Sequence, residues 1–282
     1  MSYRVFVTDV DGTLLGPSGE IAPRDEEAIV ELVRRGVHVT ICTGRMFSGT
    51  RHLAEKLGLD APIACIDGSH IVHAPSGREL SATPIAAAAA HALLDVLREF
   101  GPSAFAFSDD RVFHEAESEA YLDYVRTWSE HMNEVDDLSF DVDWQGDRVS
   151  VTAVVALGKE AQVKGAEQAL ALRAPGLQAV CFPAFRASRP GSGPSWGMVV
   201  RAAGVDKGTA VEWLAGHYGV SLEEVVAVGD WLNDVPMLRR AGRSFAMAQA
   251  PDAVKAAATE VLDADGWEGG GVAEAAHRAG LL

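Results

Sequence analysis

Four short stretches of the chain carry residues that could do chemistry. The first is Asp9-Val10-Asp11-Gly12-Thr13-Leu14-Leu15, directly after a β-branched run. Residues i and i+2 of an extended chain point to one side, so Asp9 and Asp11 can present two carboxylates to a common point, and Gly12 lets backbone approach closely. Such a pair suits a cation. The second is Cys42-Thr43-Gly44-Arg45, where a hydroxyl and free amides at a strand-to-helix turn make a phosphate cradle. The third is Asp206-Lys207-Gly208-Thr209, which places a cation at a helix start, an unfavourable position unless an anion is bound. The fourth is Val228-Gly229-Asp230-Trp231-Leu232-Asn233-Asp234, with two more acids and an amide. Taken singly, each stretch also fits an ordinary turn or helix cap.

The flanking pattern gives the four a shared position. Val5–Thr8 reads as a strand, Pro23 opens a helix ended by Gly36, Val37–Cys42 is a second strand, Met46–Leu57 a helix stopped by Gly58, and Ile63–Ile66 another strand. The rhythm returns late, with a helix over Gly208–His217, strand Val225–Val228, helix Asp234–Arg240, strand Phe245–Met247 and a helix over Asp252–Ala258. Alternation of this kind predicts an α/β fold with a parallel, Rossmann-like sheet. The middle differs. A helix over 86–99, close strands at 104–107 and 111–113, a helix over 118–131, a strand over 149–157, a helix over 160–172 and a strand over 178–182 predict an inserted α/β domain with antiparallel pairing. The stretch Ser188 to Ser195, rich in Pro and Gly, reads as the returning linker. The expected plan is a core of residues 1–82 and 190–282 split by a cap of residues 83–189.

In an open parallel sheet, ligands bind outside the carboxyl ends of the strands, and Asp9, Asp11, Thr43, Asp230 and Asp234 all follow such ends. Independent caps would have no reason to share one edge. Acids gathered there repel unless a divalent cation that prefers oxygen ligands sits among them, and Mg2+ is the cation these residue types suit. Lys207 and the Thr43 turn would then hold what the cation also holds, a phosphoryl group.

Asp9-x-Asp11-Gly-Thr-Leu, Thr43-Gly44-Arg45, Lys207 and Gly229-Asp230-x-x-Asn233-Asp234, in that order and with about a hundred residues inserted, resemble the four motifs of the haloacid dehalogenase superfamily. The place of the insertion is similar to that of its Cof-type phosphatases, which carry a class IIB cap. The resemblance implies a phosphatase that works through a phosphoaspartate. Asp9 would be the nucleophile and Asp11 the general acid and base. Thr43, Gly44, Lys207 and Asn233 would bind phosphate. Mg2+ would be held by Asp9, the Asp11 backbone carbonyl and Asp230, with Asp234 orienting bound water. Arg45 and Asp67 are candidates to touch the rest of the substrate. Two stretches depart from the family pattern: Asp67-Gly68 stands where Asn-Gly is common, and Met247-Ala248-Gln249-Ala250 where Met-Gly-Asn-Ala is common.

Composition narrows the function classes. The chain has 282 residues, 48% hydrophobic and 23% charged, with a formal net charge of −16, which disfavours nucleic acid and anionic lipid as partners. The expected partner is a small phosphorylated metabolite. No apolar run approaches the roughly 18 residues of a membrane span. Three scattered cysteines, Cys42, Cys65 and Cys181, fit reduced thiols and predict a cytoplasmic location. Gly193-Pro194-Ser195-Trp196-Gly197 matches a serine-hydrolase elbow in letters but lacks the strand before and helix after that the elbow needs. His70 and His73 read as ordinary strand polar residues. A sugar phosphomutase and a catalytically silent phosphate-binding module on the same fold are the alternatives to a phosphatase.

Overall fold

The computed structural model describes residues 3–142, 144, 151–184, 187 and 194–282. The chain opens with β1 (Val5–Thr8), α1 (Pro23–Arg34), β2 (His38–Ile41), α2 (Arg51–Lys56), β3 (Pro62–Cys65), β4 (His70–His73) and β5 (Arg78–Ala82). It continues through α3 (Ala87–Phe100), β6 (Ser103–Ser108), β7 (Arg111–His114), α4 (Leu122–Val125), β8 (Met132–Glu134), α5 (Leu138–Asp141), β9 (Val151–Gly158), α6 (Glu160–Arg173), β10 (Leu177–Pro183) and β11 (Trp196–Ala202). It ends with α7 (Lys207–Tyr218), β12 (Val225–Gly229), α8 (Val235–Arg240), β13 (Arg243–Ala246), α9 (Asp252–Lys255), β14 (Glu260–Val261) and α10 (Gly271–Arg278). Contacts divide these elements into two units, one of residues 1–44, 51–81 and 206–282, the other of residues 45–50 and 82–205.

The first unit is built on a parallel sheet in the order β14-β13-β12-β1-β2. β1 and β12 are buried along their whole length, which is why both read as continuous apolar runs rather than alternating ones. The chain passes from β1 to β2 on one side, and β12 later pairs on the other. The strand order therefore reverses between β1 and β12, and a crevice at the carboxyl ends of such a pair is where this class of sheet binds ligands. A parallel bridge from Cys42 to Ala64 brings β3 beside β2, and β3, β4 and β5 form a small antiparallel-edged sheet of their own.

The second unit has a six-stranded sheet, β10-β11-β9-β6-β7-β8, antiparallel except for β7 with β8. Helices α3 and α6 bury Leu93, Val96, Leu97, Val163, Ala166 and Leu170 against Val154, Met198 and Val200 of the sheet. The β6–β7 turn places both Asp109 and Asp110 at positive φ, 48° and 57°, the backbone that a two-residue hairpin demands.

Three expectations change. Strand β11 pairs with β9 and β10, so residues 196–202 belong to the second unit, not to the core segment expected from residue 190 onward. The Pro and Gly content of 188–195 suggested a crossing between domains, but these residues precede a strand of the same sheet; residues 188–193 themselves lie outside the described ones, as does the start of the strand expected over 149–157. The helix expected over 46–57 begins only at Arg51. Two amides of residues 45–50 are bonded elsewhere: that of Met46 donates to the Trp128 carbonyl at 3.0 Å and that of Ser48 to Asp110 Oδ1 at 2.9 Å. The helix expected over 118–131 is reduced to a 3-10 turn and the four residues of α4, and beyond it the Ser129 hydroxyl takes the His131 amide at 3.1 Å. Among the described residues no helix is long and apolar enough to cross a membrane.

Candidate active site

The register of β1 with its neighbours sets the site. Thr8 lies opposite Val228 on β12 and Ile41 on β2, so Asp9 leaves the sheet between the ends of both strands, its amide donating to the Val228 carbonyl at 3.0 Å. The loop after it folds tightly, with the Leu14 and Leu15 amides returning to the Val10 carbonyl at 3.0 and 2.8 Å. Gly12 is obligatory in two respects. Its φ is +83°, and a Cβ there would lie 2.3 Å from Asp230 Oδ2.

Lys207 opens α7, where the Asp206 side chain caps the helix by accepting the Thr209 amide at 2.8 Å. Its own ammonium runs into the crevice, 1% exposed, and donates to Asp9 Oδ1 at 2.5 Å and to Asp234 Oδ1 at 2.6 Å. The cost of a cation at a helix start is thus offset by two anions. The other oxygen of Asp234 accepts the Asp230 and Trp231 amides, both at 2.8 Å, which folds the turn after β12 around it. Asp9, Asp230 and Asp234, all buried, each offer a carboxylate oxygen within 4.8 Å of the others.

Three carboxylates and one ammonium in a buried cluster leave excess negative charge. Burial, Asp234 and Asp230 hold the Asp9 carboxyl well above the usual carboxylate range, although Lys207 pulls the other way. Burial and Asp234 push Asp230 up to about 7, against the opposing pull of Lys207, Thr13 and Gln249. Burial alone would lower the Lys207 pKa, but Asp234, Asp9 and Asp67 outweigh it and hold it well above that of a free lysine. The three acids offer only carboxylate oxygens as ligands, and their crowding resists ionisation unless a cation joins them; both features fit a hard divalent cation such as Mg2+.

A second group lies beside the cluster. The Asp67 amide donates to the Thr43 carbonyl at 2.8 Å, the Thr43 amide to the Ala64 carbonyl at 2.8 Å, and Asn233 Nδ2 to Asp67 Oδ1 at 2.8 Å. Asp67 is 5% exposed and sits at φ +52°, a left-handed position that Asp tolerates better than most residues. Asp67 thus joins the Thr43-Gly44 turn to the Asn233 loop. Of the residues expected from sequence, the structure brings together Asp9, Lys207, Asp230 and Asp234, and beside them Thr43, Gly44, Asp67 and Asn233. Asp11 differs: its side chain is exposed, and its carboxylate is not part of the three-acid group. Arg45 belongs by its contacts to the second unit, where its Nη1 donates to the Gly49 carbonyl at 3.3 Å. His70 pairs with Glu79 at 3.1 Å and His73 with Asp60 at 3.0 Å, as strand polar residues do. Ser195 is buried and runs straight into β11 rather than a helix, unlike a nucleophile elbow.

Two residues not expected from sequence touch the cluster. Thr13 Oγ1 donates to Asp230 Oδ1 at 3.2 Å, and Gln249 Nε2 to Asp230 Oδ2 at 3.3 Å. Thr13 was visible only as part of the Asp-Gly-Thr run, and Gln249 only as a departure from a common pattern.

Comparison with known proteins agrees with this geometry. Residues 6–275 match the model of the haloacid dehalogenase-like hydrolase family. The chain is 28% identical over 267 residues to the pyridoxal phosphate phosphatase YbhA of Escherichia coli strain K12, covering 93% of this chain and 94% of that protein. Among solved structures, a haloacid dehalogenase-like hydrolase from Bacteroides thetaiotaomicron superposes with a TM-score of 0.82 at 24% identity, over 98% of this chain and 99% of that one. A sugar phosphatase of subclass IIB superposes with a TM-score of 0.78 at 21% identity, over 99% of this chain and 100% of that one. At these identities the two superpositions establish the fold, which is that of the subclass IIB member, and with the family match over nearly the whole chain they lead to one conclusion: the chain belongs to the haloacid dehalogenase-like hydrolases.

Proposed function

We propose that this phosphomonoester hydrolase cleaves small phosphorylated metabolites with Mg2+ through a phosphoaspartate on Asp9. The observation that carries this reading is the buried Lys207 ammonium bridging Asp9 and Asp234 at 2.5 and 2.6 Å, with Asp230 beside them at the switch point of the sheet. Asp9 attacks phosphorus, the bond to the leaving oxygen breaks, and Asp11 gives that oxygen its proton. Exposure at the rim of the loop suits Asp11 to this work, since its proton must pass to and from groups that enter from outside. Asp11 then takes a proton from water, the oxygen of that water attacks phosphorus, and Asp9 is released together with inorganic phosphate. Lys207, the Thr43 hydroxyl and the Gly44 amide neutralise and orient the phosphoryl oxygens, which is most of what phosphoryl transfer asks of a protein. Asn233, fixed by Asp67, faces the same group. Mg2+ bound by Asp9, Asp230 and the Asp11 carbonyl would supply the remaining positive charge and align donor and acceptor.

The substrate class follows from charge and relatives. A net charge of −16 disfavours polyanions, while a single phosphate is offset locally by Lys207 and a cation. The YbhA relative is named for a small phosphorylated cofactor, and a metabolite of that size is the proposed substrate here. Cys42, Cys65 and Cys181, scattered along the chain, suit work in the cytoplasm. Phosphate release from p-nitrophenyl phosphate with Mg2+, repeated with Asp9→Asn, tests the reading. Release by the wild type that vanishes in the variant supports it; no release unless a sugar bisphosphate is added indicates a mutase, and no release under any condition a silent module.

A further inference from the structure

We infer that Gln249 is a positioning residue for the metal ligands, acting through Asp230 and the Gly12 carbonyl; the inference rests on the reading of Asp230 as a ligand of Mg2+. The side chain of Gln249 makes three contacts with three different loops. Its Nε2 donates to the Gly12 carbonyl at 2.7 Å and to Asp230 Oδ2 at 3.3 Å, and its Oε1 accepts the Gly266 amide at 2.9 Å. One primary amide therefore fixes the loop after β1, the loop after β12 and the loop after β14.

The contacts leave little slack. A Cβ on Gly266 would stand 2.3 Å from the Gly12 carbonyl oxygen and 2.8 Å from Gln249 Nε2, so the third loop lies directly against the first with the amide wedged between them. With Thr13 on Oδ1 and Gln249 on Oδ2, both oxygens of Asp230 are held in direction. Neutral donors of this kind orient a ligating carboxylate while leaving it further lone pairs, and partners behind metal ligands commonly contribute 10- to 100-fold in metal affinity. Gln249 also grips the backbone of the Asp-Gly turn that carries the Asp11 carbonyl. The departure from the common Met-Gly-Asn-Ala pattern thus has a local reason, because glutamine reaches one methylene further.

The test is metal binding by calorimetry, with Mg2+ alone and no substrate, on the wild type, Gln249→Met, Gln249→Asn and Asp230→Asn, together with thermal unfolding of each. Met keeps the bulk and removes donor and acceptor; Asn keeps both groups but shortens their reach. The expected result is a dissociation constant about 10-fold or more higher in Gln249→Met, a smaller rise in Gln249→Asn, and loss of binding in Asp230→Asn. Wild-type affinity in both Gln249 variants, with only a lower melting temperature, would make Gln249 a loop anchor and overturn the inference while leaving the metal reading intact. Wild-type affinity in Asp230→Asn would instead remove the metal reading and this inference with it. Failure of both Gln249 variants to fold would likewise assign the residue to the fold and overturn it.

Discussion

The buried acids should make the metal-free protein lose stability as pH rises, opposite to the usual behaviour of paired carboxylates. Asp230 is 8% exposed and its pKa stands near 7 in the folded chain, against 3.8 for the free group. A carboxyl whose folded pKa is raised contributes stability that is fully present below its unfolded pKa and is lost as pH climbs through the folded one. The window here runs from about pH 4 to pH 7. One pKa unit is worth about 1.4 kcal/mol, so between pH 5 and pH 7 this single group accounts for about 3 kcal/mol at most. The assay is urea unfolding in EDTA at several pH values, for the wild type and for Asp230→Asn, whose amide does not titrate. The wild type should weaken relative to the variant by up to about 3 kcal/mol over that window, and saturating Mg2+ should restore more stability at pH 8 than at pH 5. Parallel pH profiles for the two proteins in EDTA would refute the reasoning, since they would mean that Asp230 is ionised at neutral pH without a cation.

Other expectations concern single contacts. Lys207→Met keeps the bulk but leaves Asp9 and Asp234 buried without their cation, so turnover should be lost and unfolding at pH 8 should show a cost of about 3–5 kcal/mol. Gly12→Ala should cost at least about 1 kcal/mol for positive φ and weaken Mg2+ binding, because the new Cβ meets Asp230 Oδ2; calorimetry with Mg2+ reads the second effect. Excess EDTA should abolish phosphate release, Mn2+ should restore it in place of Mg2+, and Ca2+, larger and looser in geometry, should bind and inhibit.

The sequence pattern was most informative where local chemistry and strand position coincide. The acid of a strand-ending turn is visible in one dimension, and β1 and β12 announce themselves as buried apolar runs, so the pattern alone puts Asp9 and Asp230 at one sheet edge. Lys207 was recognisable because a cation at a helix start asks for an anion. Gln249 and Thr13 were not, since a neutral side chain that bonds across 217 or 19 residues leaves no local mark. Residues 46–50 read as the start of a helix, yet Trp128 and Asp110, remote in sequence, take the Met46 and Ser48 amides. The chain after residue 190 misled for a related reason: Pro and Gly report a break in regular structure, and whether the next strand returns to the old sheet or joins a new one is decided by pairing partners that composition does not encode. Asp11 shows the limit of the i, i+2 argument, because the backbone leaves extended geometry right after Asp9 and the second carboxylate stays at the exposed rim.

The central claim is covalent chemistry at Asp9, and its most direct test is an acid quench of the protein during turnover of a phosphomonoester with Mg2+, followed by peptide mapping in the mass spectrometer. A phosphoryl group on the peptide that contains Asp9, absent from Asp9→Asn and from samples quenched in EDTA, is the predicted result. Phosphate release that continues with no acyl phosphate at Asp9, or that survives in Asp9→Asn at more than a few per cent of wild type, would contradict it.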